Sequence, residues 1–121
     1  MSKRILLIED QEDNRQIVRD LLTSAGYDLI EAVTGEDGVS MAETQRPDLI
    51  LMDVQLPGLD GHEATRRIKA NPALRHIPII VVTSYALSGD EAKAREAGCD
   101  GYVAKPYSPR QLLAKIREFL P

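Results

Sequence analysis

The chain has 121 residues, 43% of them hydrophobic and 28% charged, enough for one aliphatic core and no second domain. Fifteen basic against nineteen acidic residues leave a net charge of −4, which disfavours nucleic acid or an anionic membrane as the main partner. A single cysteine excludes an internal disulfide and suits the reducing cytoplasm, while no signal-length apolar run opens the chain and the longest uncharged stretch, 77–89, is too short to span a bilayer.

In chain order, the first predicted strand is Arg4–Ile8, with the continuous apolar run Ile5-Leu6-Leu7-Ile8. The helix after it offers Ile17, Val18, Leu21 and Leu22 for burial, and Gly26 stops it. A weaker strand, Asp28–Ala32, precedes a helix opened by Thr34 three residues before Asp37. Residues 48–52 form the third strand, and after a turn at Pro57-Gly58 comes a helix opened by Asp60 three residues before Glu63. Residues 77–82 form another continuously apolar strand. Ser88-Gly89-Asp90-Glu91 then reads as a capping box for a short fourth helix, Asp90–Ala97, which offers a core only Ala92, Ala94 and Ala97 before Gly98 ends it. A weak strand, Gly101–Ala104, leads into a last helix. Its capping box is Ser108-Pro109-Arg110-Gln111, and its apolar face is Leu112, Leu113, Ile116 and Phe119.

Strict alternation of strands and helices dictates right-handed crossovers and a parallel α/β sheet. Five strands and five helices predict a doubly wound, flavodoxin-like sheet of order 2-1-3-4-5, with the two weak strands at its edges and the site beyond the strands' carboxyl ends.

The residues at those ends are Glu9 and Asp10 after the first strand, Asp53 after the third, Thr83 after the fourth and Lys105-Pro106 after the fifth. The first and third strands are neighbours in this order, so three carboxylates converge where repulsion is costly without a cation. Hard oxygen ligands favour Mg²⁺, which binds few carboxylates and leaves positions open for phosphoryl oxygens. Lys105 and the Thr83 hydroxyl approach from the other side and could neutralise those oxygens, leaving Asp53 as nucleophile. Taken singly, Asp10 could cap a helix, Glu9 and Lys105 could be solvated charges, and Asp53 could serve its turn. Together at one end of one sheet they call for one explanation.

Ile5-Leu6-Leu7-Ile8-Glu9-Asp10, the run from Leu51 to Gly61 around Asp53, Val82-Thr83-Ser84 and Gly101-Tyr102-Val103-Ala104-Lys105-Pro106 occur in order across essentially the whole chain. In these motifs residues 1–121 resemble a bacterial response-regulator receiver domain. The resemblance implies that Asp53 accepts a phosphoryl group from a histidine kinase or phosphotransfer protein, and that the domain is a regulator rather than an enzyme with external turnover. It implies Mg²⁺ held by Glu9, Asp10, Asp53 and the backbone carbonyl of Gln55, phosphoryl contacts from Thr83 and Lys105, an aromatic switch at Tyr102, and a cis Lys105-Pro106 bond. Gln55 and Tyr85 would flank the path of attacking water. Tyr107 departs from the Phe of many relatives. With no output segment after Phe119-Leu120-Pro121, a stand-alone receiver is expected, monomeric or weakly dimeric. It would signal to a protein target through the fourth helix, fifth strand and fifth helix.

Three rivals stand beside this expectation. An aspartyl-phosphate phosphatase commonly has a second Asp two residues after the nucleophile, where this chain has Gln55. A flavin or nucleotide site needs amide-rich loops, whereas Glu9-Asp10-Gln11-Glu12-Asp13 repels phosphate without a cation. A silent adaptor would not need the Asp53, Thr83 and Lys105 set. Cys99 reads as a small buried thiol, His62 and His76 as surface or helix-end residues, Met41 and Met52 as core filler, and Arg66, Arg67 and Lys69 as a solvated helix face.

Overall fold

The computed structural model describes residues 2–84 and 90–121. Among them run β1 (Arg4–Ile8), α1 (Glu12–Ser24), β2 (Asp28–Ala32), α2 (Gly35–Gln45), β3 (Leu49–Asp53), α3 (Gly61–Ala70), β4 (Ile79–Thr83), α4 (Asp90–Ala97), β5 (Gly101–Ala104) and α5 (Pro109–Phe119). All strand pairs are parallel, in the expected order β2-β1-β3-β4-β5. No described helix is long and apolar enough to cross a membrane.

The three central strands are buried along almost their whole length because successive residues feed opposite faces of the sheet. Leu6, Ile8, Ile50, Met52, Ile79 and Val81 pack with Ala42 of α2, Ala64 and Ile68 of α3 and Ala94 of α4. Ile5, Leu7, Leu49, Leu51, Ile80 and Val82 pack with Val18 and Leu22 of α1 and Leu112 and Ile116 of α5.

Helix ends follow local chemistry. Thr34 Oγ1 accepts from the Asp37 N–H, Asp60 Oδ1 accepts from the Glu63 N–H, and Ser108 and Gln111 form the reciprocal capping box. The Ser88 box lies outside the described residues. Gly26 and Gly98 take positive φ of 93° and 104°, a backbone region that favours glycine, just past α1 and α4.

Several expectations shift. β3 starts at Leu49 because the Asp48 carboxylate leaves the strand to accept from the Arg4 N–H at 2.8 Å, and β4 starts at Ile79, after Pro78, and runs to Thr83. Ile17 is 63% exposed, not buried, so the α1 stripe is narrowed to Val18 and Leu22 with Leu21 half-buried. Ala92 faces solvent, as do Arg66 and Arg67. Lys69 is not a solvated charge: its Nζ donates to Asp100 Oδ2 and to the carbonyls of Ile77 and Arg75 at 2.7, 2.8 and 3.0 Å. Asp100 Oδ2 also accepts from the Ile79 N–H, so one carboxylate joins α3 to the entries of β4 and β5.

Candidate functional site

Parallel pairing with the register Ile8↔Met52, Asp53↔Val82 and Thr83↔Ala104 brings the strand ends level. The residues just past each strand therefore meet at one edge. Glu9, Asp10 and Asp53 each offer a carboxylate oxygen, and these oxygens lie within 4.8 Å of one another. Glu9 and Asp53 are buried and Asp10 is half-buried. Lys105 reaches in from the end of β5, with Nζ 3.4 Å from Glu9 Oε1 and 4.0 Å from Asp53 Oδ1. Thr83 is fully buried at the end of β4, and its carbonyl accepts from the Lys105 N–H at 2.7 Å. The Lys105-Pro106 bond is cis.

Local contacts hold the acids in place. Glu9 Oε2 accepts from the Gln11 N–H at 3.1 Å, and the Glu9 carbonyl accepts from Arg15 Nη1 at 2.9 Å. Asp10 does not cap α1: that position is Gln11, which makes no side-chain cap bond. Asp53 Oδ1 accepts from the Gln55 N–H at 3.3 Å. The Gln55 side chain points elsewhere, taking a hydrogen bond from Ser84 Oγ at 2.9 Å that joins the loops after β3 and β4.

Charge in the cluster is unbalanced, with three carboxylates facing one ammonium. Burial, and then the negative charge of Glu9, push the Asp53 carboxyl up to about 7 against the pull of Lys105. The Tyr107 hydroxyl is raised as well, by burial first and then by Glu9 and Asp53. An all-oxygen donor set with surplus negative charge has the chemistry that a small hard cation takes. Beside it, a cavity of about 450 Å³ runs between α1 and α5, walled by Leu7, Val18, Leu51 and Leu112 and ending at Asp53 and Lys105.

The structure thus brings together Glu9, Asp10, Asp53, Thr83 and Lys105, with Gln55 at the rim. Tyr85 lies outside the described residues. Tyr102 is half-buried on β5 and packs against the core on the face that carries α3 and α4. Its hydroxyl donates to Asp90 Oδ2 at 2.8 Å, and burial, aided by that bond, raises its pKa. Two contributors escaped sequence reasoning. Arg15 grips the Glu9 backbone; its only sequence signal was its spacing three residues after Glu12, with which it forms an ion pair. His62 does sit at a helix end, the start of α3, but its ring turns inward against Asp90 at 3.4 Å, a long-range contact with no local signal. Cys99 is buried, and burial raises its thiol pKa.

Comparison with known proteins gives a consistent picture. The family described as "Response regulator receiver domain" matches residues 5–117. The polar-differentiation response regulators DivK of Brucella anthropi and Brucella ovis are 42% and 41% identical over 120 residues, covering 99% of this chain and 98% of each relative. Among solved structures, the receiver domain of a Pseudomonas aeruginosa sensor histidine kinase, with magnesium coordinated in its active-site cleft, superposes with a TM-score of 0.93 at 39% identity, covering 99% of this chain and 98% of that one. A Vibrio cholerae chemotaxis protein, CheY4, gives 0.92 at 25% identity, covering 98% of this chain and 99% of that one.

Proposed function

This chain belongs to the response regulator receiver family, the signalling modules of two-component phosphorelays, and from that premise we propose that residues 1–121 act as one receiver domain whose phosphoacceptor is Asp53. The observation that carries the assignment is the convergence of Glu9, Asp10 and Asp53 within 4.8 Å, with Lys105 Nζ 4.0 Å from Asp53. Glu9 lies nearer the lysine, at 3.4 Å, so the choice of Asp53 among the three acids rests on its place at the end of β3, where the receiver motif carries its acceptor.

The donor is a phosphohistidine of a sensor kinase or phosphotransfer protein. A carboxylate oxygen of Asp53 forms the bond to phosphorus while the bond from phosphorus to the histidine nitrogen breaks, and the departing imidazole recovers its electron pair. Glu9, Asp10, Asp53 and the Gln55 carbonyl hold Mg²⁺, which when bound offsets the negative charge of the acids and the incoming group. Lys105 and the Thr83 hydroxyl take the other phosphoryl oxygens. Gln55 offers no general acid for steady phosphomonoester turnover, so the chemistry is self-phosphorylation and self-dephosphorylation, in the cytoplasm. Output leaves through α4, β5 and α5 to another protein, with Tyr102 turning as Thr83 moves toward the phosphoryl group.

Acetyl phosphate with Mg²⁺ should add one phosphoryl mass to the wild type by intact-mass spectrometry. Asp53→Asn should abolish the gain, chelator should suppress it, and Asp10→Asn should slow it. Full labelling of Asp53→Asn would sink the assignment.

A further inference from the structure

Asp90 opens α4, and its carboxylate is divided between two neighbours. Oδ2 accepts from the Tyr102 hydroxyl of β5 at 2.8 Å, and Oδ1 lies 3.4 Å from Nε2 of His62 on α3. The cluster is sheltered, with the His62 and Asp90 side chains 12% and 13% exposed. His62 Nδ1 is buried and has no partner among the described residues. A buried ring nitrogen left unserved costs free energy, so the contact with Asp90 is what favours the inward position of the imidazole.

His62 is also anchored behind. Its neighbour Gly61 donates from its N–H to the Val54 carbonyl at 3.0 Å, and a Cβ there would collide with the Asp53 carbonyl oxygen. The head of α3 is thus pressed against the strand end that carries Asp53. Asp90 therefore joins that rigid corner to the ring of Tyr102. A change of Tyr102 rotamer toward Thr83 swings the hydroxyl through a wide arc. A 2.8 Å hydrogen bond tolerates little displacement, so a ring turned as the proposed output requires would lose Asp90 unless α4 followed it.

We propose that Asp90, held by His62, is a latch on Tyr102 that must open before a phosphoryl group at Asp53 can reshape the α4 and β5 face. The latch rests on the reading of Asp53 as phosphoacceptor and Tyr102 as switch, and adds what restrains that switch. An interaction made in only one of two states biases the population toward that state, and by linkage it lowers affinity for whatever favours the other.

The test is an NMR titration with beryllofluoride and Mg²⁺, a mimic of the phosphoryl group on Asp53. Tyr102→Phe keeps the ring and removes the hydroxyl, and Asp90→Ala removes the acceptor; each should raise apparent affinity about fivefold to tenfold. The double variant should gain no more than the larger single, because both break one contact. His62→Leu should give a smaller gain, about twofold to threefold. Asp90→Ala also removes an acid from the first turn of α4, so the deciding variant is Tyr102→Phe, which leaves every α4 residue in place. Should the wild type bind and shift the face while Tyr102→Phe stays within twofold of it or binds more weakly, the latch is overturned and the site assignment stands. Additive gains in the double variant overturn it too. If the wild type fails to bind beryllofluoride at all, the site assignment falls and the latch with it.

Discussion

Helices α5 and α4 flank the same edge strand yet are held by different physics. α5 inserts Leu112 and Ile116 completely, with Leu113 and Phe119 half-buried beside them. α4 inserts only Ala94 and Ala97, and its first residue is held by a shared carboxylate. A buried leucine removes several more methylenes from water than an alanine does, at about 0.8 kcal/mol each. One helix is thus fastened by hydrophobic area and the other by directional polar contacts that a small bias can exchange. Under the proposed function both helices border the output face, and this contrast makes α4 the one that yields more readily.

The contrast is most strongly broken from the α5 side. Leu112→Ala should destabilise the fold by about 2–5 kcal/mol in urea denaturation, through a cavity beside Leu7 and Leu51, whereas Ala94→Gly should cost about 1 kcal/mol. Equal losses would show that α4 is as firmly packed as α5.

Next in size is Lys69→Met, which strips three acceptors of their donor and loosens the corner where α3 meets β4 and β5. A loss of about 1–3 kcal/mol in the same denaturation is expected. Amide exchange should then rise in α4 before α5, because Asp100 sits just beyond α4.

The carboxylate cluster at the ends of the strands provides a pH-dependent comparison. Asp53 keeps its proton to about 7 in the folded chain, against an ordinary value of 3.8. The folded state therefore binds more protons than the unfolded state between about pH 4 and pH 7, and stability falls as pH rises through that window. Asp53→Asn removes this loss. Allowing for the open mouth of the site, it should be roughly 1–2 kcal/mol more stable than wild type at pH 7.5 without divalent cation, and close to it at pH 4. Millimolar Mg²⁺ should narrow the gap by stabilising the wild type alone. A gap that persists unchanged from pH 4 to pH 7.5 would contradict the raised carboxyl.

The smallest expected effect is in native-state exchange of the wild type. Amides in the last two turns of α4 should open at a free energy about 1–2 kcal/mol below those at the centre of α5. Uniform protection would mean that the two helices open together.

Much of this protein is legible from its residues in order. Continuous apolar runs, capping residues and glycine stops mark the alternation of strands and helices. Alternation alone constrains the sheet to be parallel and places Glu9, Asp10, Asp53, Thr83 and Lys105 at one edge, because crossover handedness and strand spacing are general properties of the chain. Tertiary structure decided what depends on distance and competition. Ile17 has the right spacing for burial, but the seat of α1 on the sheet is filled by Val18 and Leu22, and it faces out. Lys69 carries the charge of a surface residue, yet three acceptors from remote segments hold it. His62 and Asp90 stand 28 positions apart and meet only because α3 and α4 pack side by side. Periodicity and capping are local and can be read along the chain, whereas the partner of a single polar group is chosen by whichever distant atom the finished fold brings within reach.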